Sequence, residues 1–429
     1  MSKSVAETRA LVEKSLRRRQ WAERRFRAYG LGAVLLGLLF VVVLFTSVFS
    51  QGWSAFRQTN LTLEVFYDPA VIDPEGTADA DTLAVADYPA LVRAALKQRF
   101  PDVEGRTATR QLSDLVSSSA ANVLQARLTA DHSLMGKHET LRFLADDKVD
   151  QLLKGRISRD LDEADRALSD QQVQWIDALK HDGVLSLDFN RGFFSNGDSR
   201  EPEQAGVWGA FVGSLYTLGV TLLLSFPIAV ATAIYLEEFA RRTRWTDLIE
   251  VNINNLAAVP SIVFGLLGLA MFLNIFGMPR SAPLVGGLVL ALLTLPTIII
   301  ASRAAIKAVP PSIREAALGM GASKLQMVMH HVLPLAMPGM LTGTIIGMAR
   351  ALGETAPLLM IGMVAFIVDV PHSLTAPATV LPVQVFLWSD SPERAFIERT
   401  SAAIIVLLVF LVVMNATAVV LRNRFERRW

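Results

Sequence analysis

Residues 311–338 read PSIREAALGMGASKLQMVMHHVLPLAMP, a polar stretch between two long apolar segments that decides how this chain is interpreted. Pro310 and Pro311 predict that the preceding helix ends here, because proline has no N–H to donate within a helix. Ser312 and Glu315 have the three-residue spacing of a capping box. A short helix is therefore predicted to begin at about Ser312.

A second helix is predicted after a flexible joint. Gly321 favours a break or bend, since glycine adopts backbone conformations that other residues avoid. Ser323 followed by Gln326 repeats the capping spacing. Pro334 and Pro338 are expected to interrupt this second helix before the next apolar segment. Two helices joined at an angle form a knob suited to a groove on a partner protein.

The chain is too apolar for an ordinary soluble protein, with 52% hydrophobic and 19% charged residues among 429. About 20 mostly apolar residues are needed to cross a bilayer. Five windows of sufficient length contain no Asp, Glu, Lys or Arg: 28–56, 204–236, 251–279, 281–302 and 400–421. A sixth window, 332–368, contains only two charged residues, Arg350 and Glu354. We predict an all-α polytopic membrane protein with six transmembrane helices, the first a retained anchor and not a cleaved signal peptide.

Lys and Arg near the ends of the spans predict the orientation, because cytoplasmic segments are enriched in them. Residues 1–30 contain nine, and both the 237–250 loop and the 303–335 loop are basic, whereas the opposite short loops are poorer. Both termini and the 303–335 loop are therefore expected in the cytoplasm. The predicted location is the cell inner membrane.

The same topology predicts three parts: the N-terminus with the first span (1–50), an extracytoplasmic domain (51–203) and a five-span permease core (204–429). The domain has 26 Asp and Glu against 17 Lys and Arg, which suits solubility. Apolar spacing predicts that it is mainly helical, with helices near 89–100, 139–154 and 158–181. A plain structural extension is one interpretation of it, and a regulatory or partner-docking role is the other.

Arg350 and Glu354 are charged residues within an apolar window. Arg350 lies twelve residues beyond Pro338, or about 18 Å along a helix, which predicts a position near mid-membrane. Glu354 is four residues later and shares its helix face. The pair either neutralises itself so that the helix inserts, or lines a solute pathway in which the guanidinium meets an oxyanion.

The polar stretch resembles the "EAA" cytoplasmic loop of bacterial ABC importer permeases, which docks on the ATPase subunit. The resemblance rests on Glu315, Ala316, Ala317, Gly321, Leu333 and Pro334, placed between two spans on the cytoplasmic side. It implies a type I permease core and a transporter that takes its energy from ATP bound by a partner.

A closer resemblance, over about 205–425, is to the permease subunit PstA of phosphate importers. It is carried by the runs ARALGETAPLL (349–359), SLYTL (214–218), PIA (227–229), YLEE (235–238) and VPSIVFGL (259–266). It implies phosphate as cargo, Arg350 in the translocation path, and three kinds of partner: ATPase subunits, a sister permease and an extracytoplasmic phosphate-binding protein. The 51–203 insertion resembles the longer variants of that family.

Several function classes are excluded or disfavoured by the sequence. It has no Gly-x-x-x-x-Gly-Lys-Ser/Thr loop, so the ATPase activity is expected in a partner. No catalytic motif, cofactor site or metal-ligand spacing was found, and there is no cysteine. The basic runs flank spans, so no nucleic acid is expected. The alternatives are a permease for another oxyanion or small solute, or a transport-linked membrane sensor acting through 51–203.

Overall fold

The computed structural model describes residues 5–76, 79–163 and 166–425. The chain divides into two compact units, Met1–Gln51 and Gly52–Trp429. Among the described residues, the first unit consists of one long helix, α1 (Val5–Gly52). Its uncharged part belongs to a candidate membrane span, Arg18–Phe56, which agrees with the first predicted window.

The insertion between the first two spans is a helical domain built on a small sheet. Its helices are α2 (Pro69–Ile72), α3 (Ala80–Val85), α4 (Tyr88–Arg99), α5 (Arg106–Ser113), α6 (Ser119–Ala130), α7 (Asp147–Leu153) and α8 (Asp170–His181). Its strands are β1 (Arg57–Phe66), β2 (His138–Leu144) and β3 (Leu185–Phe189), antiparallel in the order β2-β1-β3. The helical majority was predicted, and the sheet was not.

The prediction of a helix over 139–154 was wrong for its first half. Residues 138–144 pair with β1, with Phe143 opposite Leu61 in the register. The segment TLRF (140–143) alternates polar and apolar side chains, and that period of two is typical of a strand. The helices predicted near 89–100 and at the end of 158–181 are present as α4 and α8, and Trp175, Ile176 and Leu179 of α8 are buried as one face.

The described residues from 204 to 425 form ten α-helices. They are α9 (Trp208–Ile234), α10 (Arg244–Ala257), α11 (Ser261–Gly268), α12 (Pro283–Ala308), α13 (Pro311–Gly319), α14 (Lys324–Met327), α15 (Leu333–Gly353), α16 (Ala356–Met360), α17 (Leu381–Ser389) and α18 (Ala395–Phe425). Together with the first span, four stretches are long and apolar enough to cross a membrane: Trp208–Phe239, Pro283–Ala308, Lys324–Gly353 and Ala395–Arg424.

The third predicted span is a broken pair and not one straight helix. Arg244–Ala257 and Ser261–Ile275 meet at an angle of 101°. Pro260 lies at the break, where its fixed φ and missing N–H prevent the helix from continuing. The described residues thus contain five straight candidate spans, or six if the bent pair counts as one.

The predicted window 332–368 is longer than the helix that forms there. Helix α15 ends at Gly353, and Glu354 has an extended backbone (φ −78°, ψ 121°). The short α16 follows, with Pro357 near its start, and packs against α11. Proline in the first turn suits a new helix but cannot continue an old one.

The expected interruption at Pro334 and Pro338 does not occur. Lys324–Gly353 runs as one span, because a π-helical turn at Val328–Val332 comes directly before Pro334. Such a wide turn absorbs the missing backbone hydrogen bond of a proline.

Small residues allow the helices to approach closely. A Cβ on Gly343 of α15 would lie 2.2 Å from Ala301 Cβ of α12, and one on Gly339 would lie 2.6 Å from Ala305 Cβ. With Gly347 these form a stripe at four-residue spacing, which is typical of tightly packed membrane helices.

Candidate functional site

Arg350 is the one charged side chain between Val332 and Gly353, and it lies in the last turn of α15. Its Nε donates to Oε1 of Glu354 at 3.4 Å, so the predicted pair is present, although Glu354 lies just beyond the end of the helix and not on its face. The Arg350 side chain nevertheless keeps 48% of its surface exposed, whereas Glu354 keeps 18%. The guanidinium therefore has donors left over for another group.

The depth of Arg350 follows from the packing of α15 on α12. A Cβ on Gly347 would lie 3.9 Å from Thr294 Cβ, and Arg350 is about one turn further toward the Pro283 end of α12. At 1.5 Å per residue this places Arg350 roughly 12 Å inside the Pro283 end and more than 20 Å from Ala308. Measured along α12, Arg350 lies between the two ends of a candidate span, closer to the Pro283 end than to the middle.

The exposed face of α15 carries Arg350. Ile346, Arg350 and Gly353 are all exposed and recur at spacings of four and three residues, which is one side of a helix. Gly343 and Gly347 lie on the neighbouring side of the helix, seven and three residues before Arg350, and pack against α12. This exposed stripe has no cover within the described part of the chain.

The polar stretch folds as two helices with a hinge between them, as predicted. Gly321 has a φ of +86°, which only glycine adopts without strain. Ser323 and Gln326 form the second capping box, with N–H···O distances of 3.2 and 2.9 Å. The first capping box is absent: α13 begins at Pro311, which leaves Ser312 inside the helix with no cap hydrogen bond.

The residues of the EAA resemblance divide into buried and exposed ones. Ala317 is buried in a cluster with Met327, Val328 and Val332, against which Leu333 packs. Glu315 and Ala316 point away from it, and Glu315 makes no ion pair within the described residues. Beside them lies an open groove of about 530 Å³, lined by Ile313, Ala316, Ala317, Met320, Gly321, Ala322, Gln326, His330 and His331. The loop thus offers an anchored inner face and a free outer face.

Arg314 fixes this loop to the spans, and sequence reasoning missed it. Its Nε and Nη2 donate to Oε1 of Glu238 at 3.0 and 2.8 Å, and its Nη1 and Nη2 donate to the carbonyls of Val309 and Ile306. Those carbonyls end α12, so one side chain joins α13 to the ends of both α9 and α12.

A second ion pair network lies beside the first. Arg303 of α12 is 2.5 Å from Oε1 of Glu237 and 2.6 Å from Oε1 of Glu250 in α10. Lys307 also approaches Glu237, at 3.3 Å. The available signal was the acidic pair Glu237-Glu238 directly after an uncharged span. These contacts make the loop end of the bundle a connected polar layer.

Arg350 and Glu315 are not part of one site. They lie toward opposite ends of α15, which is about 30 Å long at 1.5 Å per residue. Among the residues that the structure describes, no three His, Asp or Glu side chains are placed to share a metal ion. The described residues thus place one exposed cationic side chain within a candidate span and one open groove beside the loop.

Known proteins are similar to this chain in sequence. Residues 225–429 match the family described as binding-protein-dependent transport system inner membrane component, and residues 13–163 match a domain of unknown function, DUF3333. A phosphate transport system permease protein PstA 1 of Mycobacterium tuberculosis is 34% identical over 231 residues, covering 53% of this chain and 74% of the relative. This chain belongs to the PstA-type family of membrane permeases.

Further relatives of this permease include a probable ABC transporter permease protein, YqgI, of Bacillus subtilis, 30% identical over 53% of this chain and 81% of the relative. A solved structure of the MetNI methionine ABC transporter is also similar, with a TM-score of 0.41 and 16% identity over 52% of this chain and 98% of that one. Family membership makes this chain a multi-pass membrane transport component and not an enzyme.

Proposed function

We propose that this permease is the transmembrane subunit of an ATP-driven importer of inorganic phosphate. The observation that carries the proposal is the exposed guanidinium of Arg350 within the membrane layer. Phosphate is favoured as cargo because several relatives are named phosphate transport system permeases.

An exposed charge at this depth needs a polar surrounding. An arginine facing lipid costs about 2.5–3.5 kcal/mol even on insertion scales, so such residues usually face a cavity or a partner. The exposed stripe of α15 is therefore proposed to line a pathway. A guanidinium presents planar paired donors that match an oxyanion, and Glu354, by sharing the cation, keeps phosphate from being held too tightly.

A sister permease would complete the pathway. The stripe with Ile346 and Arg350 has no cover in the described part of this chain, and the Gly353 end of the span leaves space beside it. A second, similar bundle facing this stripe would enclose the charge between two subunits.

The 303–335 loop is proposed as the docking site of the ATPase subunits, with both termini on the same cytoplasmic side. Large apolar side chains are exposed around its groove: Leu318, Met320, Leu325 and Met329. Such a patch marks a protein interface. Arg314 would pass a push on α13 directly to α9 and α12, because it bonds to the ends of both.

The opposite side of the membrane would receive phosphate from an extracytoplasmic binding protein, and residues 52–203 would lie there. The basic loops on the side of the 303–335 loop support this orientation. The single span between the N-terminus and the insertion supports it too.

Uptake by the assembled importer tests the cargo. The permease is reconstituted into proteoliposomes with its partner permease, ATPase and binding protein, and ATP-dependent uptake of labelled phosphate is compared with that of labelled sulfate and molybdate. We expect uptake of phosphate alone. Equal or greater uptake of sulfate or molybdate would contradict phosphate as the cargo. If none of the three anions is taken up, the proposed anion pathway is contradicted.

A further inference from the structure

Five aromatic side chains form a continuous cluster where the insertion meets the spans. Phe56 stacks on Phe194 at 5.6 Å, and Phe189 stacks on Phe194 at 5.8 Å between ring centroids. Phe193 meets Phe194 edge to face at 5.2 Å, and Trp53 meets Phe56 in the same way at 5.8 Å. The cluster is therefore a single surface and not a set of scattered rings.

The outer part of this cluster is open, although its inner part is buried. Phe193 is fully buried beneath Trp388, whereas Trp53 and Phe189 are 63% and 62% exposed. Leu187, two residues before Phe189 on the edge strand β3, extends the apolar face. Exposed aromatic area of this extent in a folded protein marks a contact surface.

Two independent contacts place the cluster at the ends of spans. Gly52 lies directly against Ser401 and Ala402, where a Cβ would be 2.7 Å from the Ser401 carbonyl carbon. Ser401 lies at the start of the uncharged run of α18. In addition, the N–H of Val207, just before α9, donates to the carbonyl of Phe193 at 2.8 Å. The cluster therefore lies level with the membrane boundary.

Cationic side chains flank the exposed rings. Arg57 is the register partner of Phe189 across β1 and β3, and Arg191 follows Phe189 by two residues. Both arginines are exposed. Tryptophan and other amphipathic rings concentrate at the headgroup level of membranes, and arginines near that surface are attracted to anionic lipid phosphates.

We infer that Trp53, Phe56, Leu187, Phe189 and Phe194, with Arg57 and Arg191, form a lipid anchor. The anchor inserts into the headgroup layer on the side opposite the 303–335 loop and keeps the insertion in contact with the bilayer surface. The partner is the phospholipid surface, with its phosphate groups met by the two arginines. The inference requires only that the candidate spans cross a bilayer, and it does not depend on which solute the permease transports.

The absence of cysteine from the chain allows a clean test. Phe189→Cys is labelled with an environment-sensitive fluorophore in the full chain, assembled with its partners in nanodiscs. The matched control is Val85→Cys, another exposed apolar position on the same domain, at 84% exposure. Quenching is measured with iodide in the water and with lipids that carry a quencher at the headgroup or shallow acyl position.

We expect the Phe189 label to be quenched by the lipid-borne quencher and protected from iodide, and the Val85 label to behave in the opposite way. A Phe189 label as accessible to iodide as the Val85 label would overturn the anchor. Protection from iodide without quenching by lipid would also overturn it, because a protein partner would then cover the face.

A second measurement uses lipid composition and leaves the rings intact. Phosphatidylglycerol added to phosphatidylcholine nanodiscs should increase lipid quenching of a Leu187→Cys label. The pair Arg57→Gln and Arg191→Gln should remove that increase, while Arg110→Gln, an exposed arginine on α5 of the same domain, should not. No change with phosphatidylglycerol in the parent protein would contradict the role given to the arginines.

Discussion

Lys154 and Glu398 form a buried ion pair, with 2.9 Å between Nζ and Oε1, that joins the insertion to the first turn of α18. The same ammonium is 2.6 Å from Oδ2 of Asp150, whose Oδ1 accepts from the N–H and the hydroxyl of Thr59. The three charged side chains are each exposed by less than a tenth. The insertion is thus fixed to the last span by charges that water does not reach.

Lys154→Met should destabilise the protein strongly, because two buried carboxylates would lose the ammonium that contacts both, leaving only the more distant Arg399 nearby. Breaking a buried pair from one side costs about 3–5 kcal/mol. Thermal unfolding of the full chain in detergent measures the loss. Lys180→Met removes an exposed lysine of α8 and should change little, and adding Glu398→Gln to Lys154→Met should recover part of the stability. Equal effects of the two lysine variants would argue against this account.

Gly287→Val should disrupt the packing of α9 on α12. A Cβ at position 287 would lie 2.4 Å from Val220 Cβ and 2.9 Å from the Thr217 carbonyl, so the helices would have to separate. Overpacking typically costs about 1–3 kcal/mol. Gly219→Val is the control, since nothing lies within 4 Å of its added Cβ. The yield of monodisperse protein after extraction should fall for the first variant only.

Arg314→Met should uncouple ATP hydrolysis from transport. The variant loses the bonds to Glu238, Val309 and Ile306 that fix α13 to the spans, while the exposed residues proposed to dock on the ATPase stay in place. We expect the ATPase to bind and hydrolyse ATP, with uptake per ATP reduced at least tenfold, the factor for about 1.4 kcal/mol. Arg244→Gln, an exposed arginine at the start of α10, should transport normally. Tight coupling in the Arg314 variant would remove this contact from the mechanism.

Asp146→Asn should remove part of the pH dependence of stability. Burial and the neighbouring Asp147 raise the pKa of Asp146 from 3.8 to about 7. Between about pH 4 and 7 the folded state keeps this proton while the unfolded state has lost it, so stability falls as pH rises through this range. Asparagine keeps the helix cap that Asp146 provides to Lys148.

Unfolding midpoints at pH 4.5 and pH 7.5 check this prediction. The gain of Asp146→Asn over the parent protein should be larger at the higher pH, where the parent carries the buried charge. Asp131→Asn is the control, because hydrogen bonds from Ser133 lower the pKa of Asp131 and its contribution has the opposite sign. A gain that does not grow with pH would exclude a raised pKa at this position.

The sequence predicts the positions of the spans and of the loop, because both depend on residues that are close together in the chain. Uncharged runs mark the helices that cross a membrane, and Gly321 marks the hinge through its positive φ. The 101° bend at Pro260 could have been suspected from the proline alone. The direction and angle of the break depend on packing between α11 and α16, which no local pattern contains.

Long-range pairing is what sequence reasoning missed. The contact of Arg314 with Glu238 joins residues 76 positions apart, and that of Lys154 with Glu398 spans 244. The alternation in 138–144 was visible, but its apolar residues also fit a helical face, so only pairing with β1 decides for a strand. The exposure of Arg350 likewise depends on which face of α15 the glycine stripe buries.

The most direct test of the central claim is phosphate uptake by the reconstituted importer with Arg350→Gln, beside Arg142→Gln as an exposed arginine outside the membrane. We predict that the Arg350→Gln permease inserts, assembles and binds the ATPase but loses phosphate uptake at least a hundredfold. Arg350→Lys should keep a small fraction of the parent uptake, and Arg142→Gln should keep all of it. A hundredfold loss corresponds to about 2.8 kcal/mol, the scale of a charged hydrogen bond. Uptake by an assembled Arg350→Gln importer at the parent rate would contradict the account.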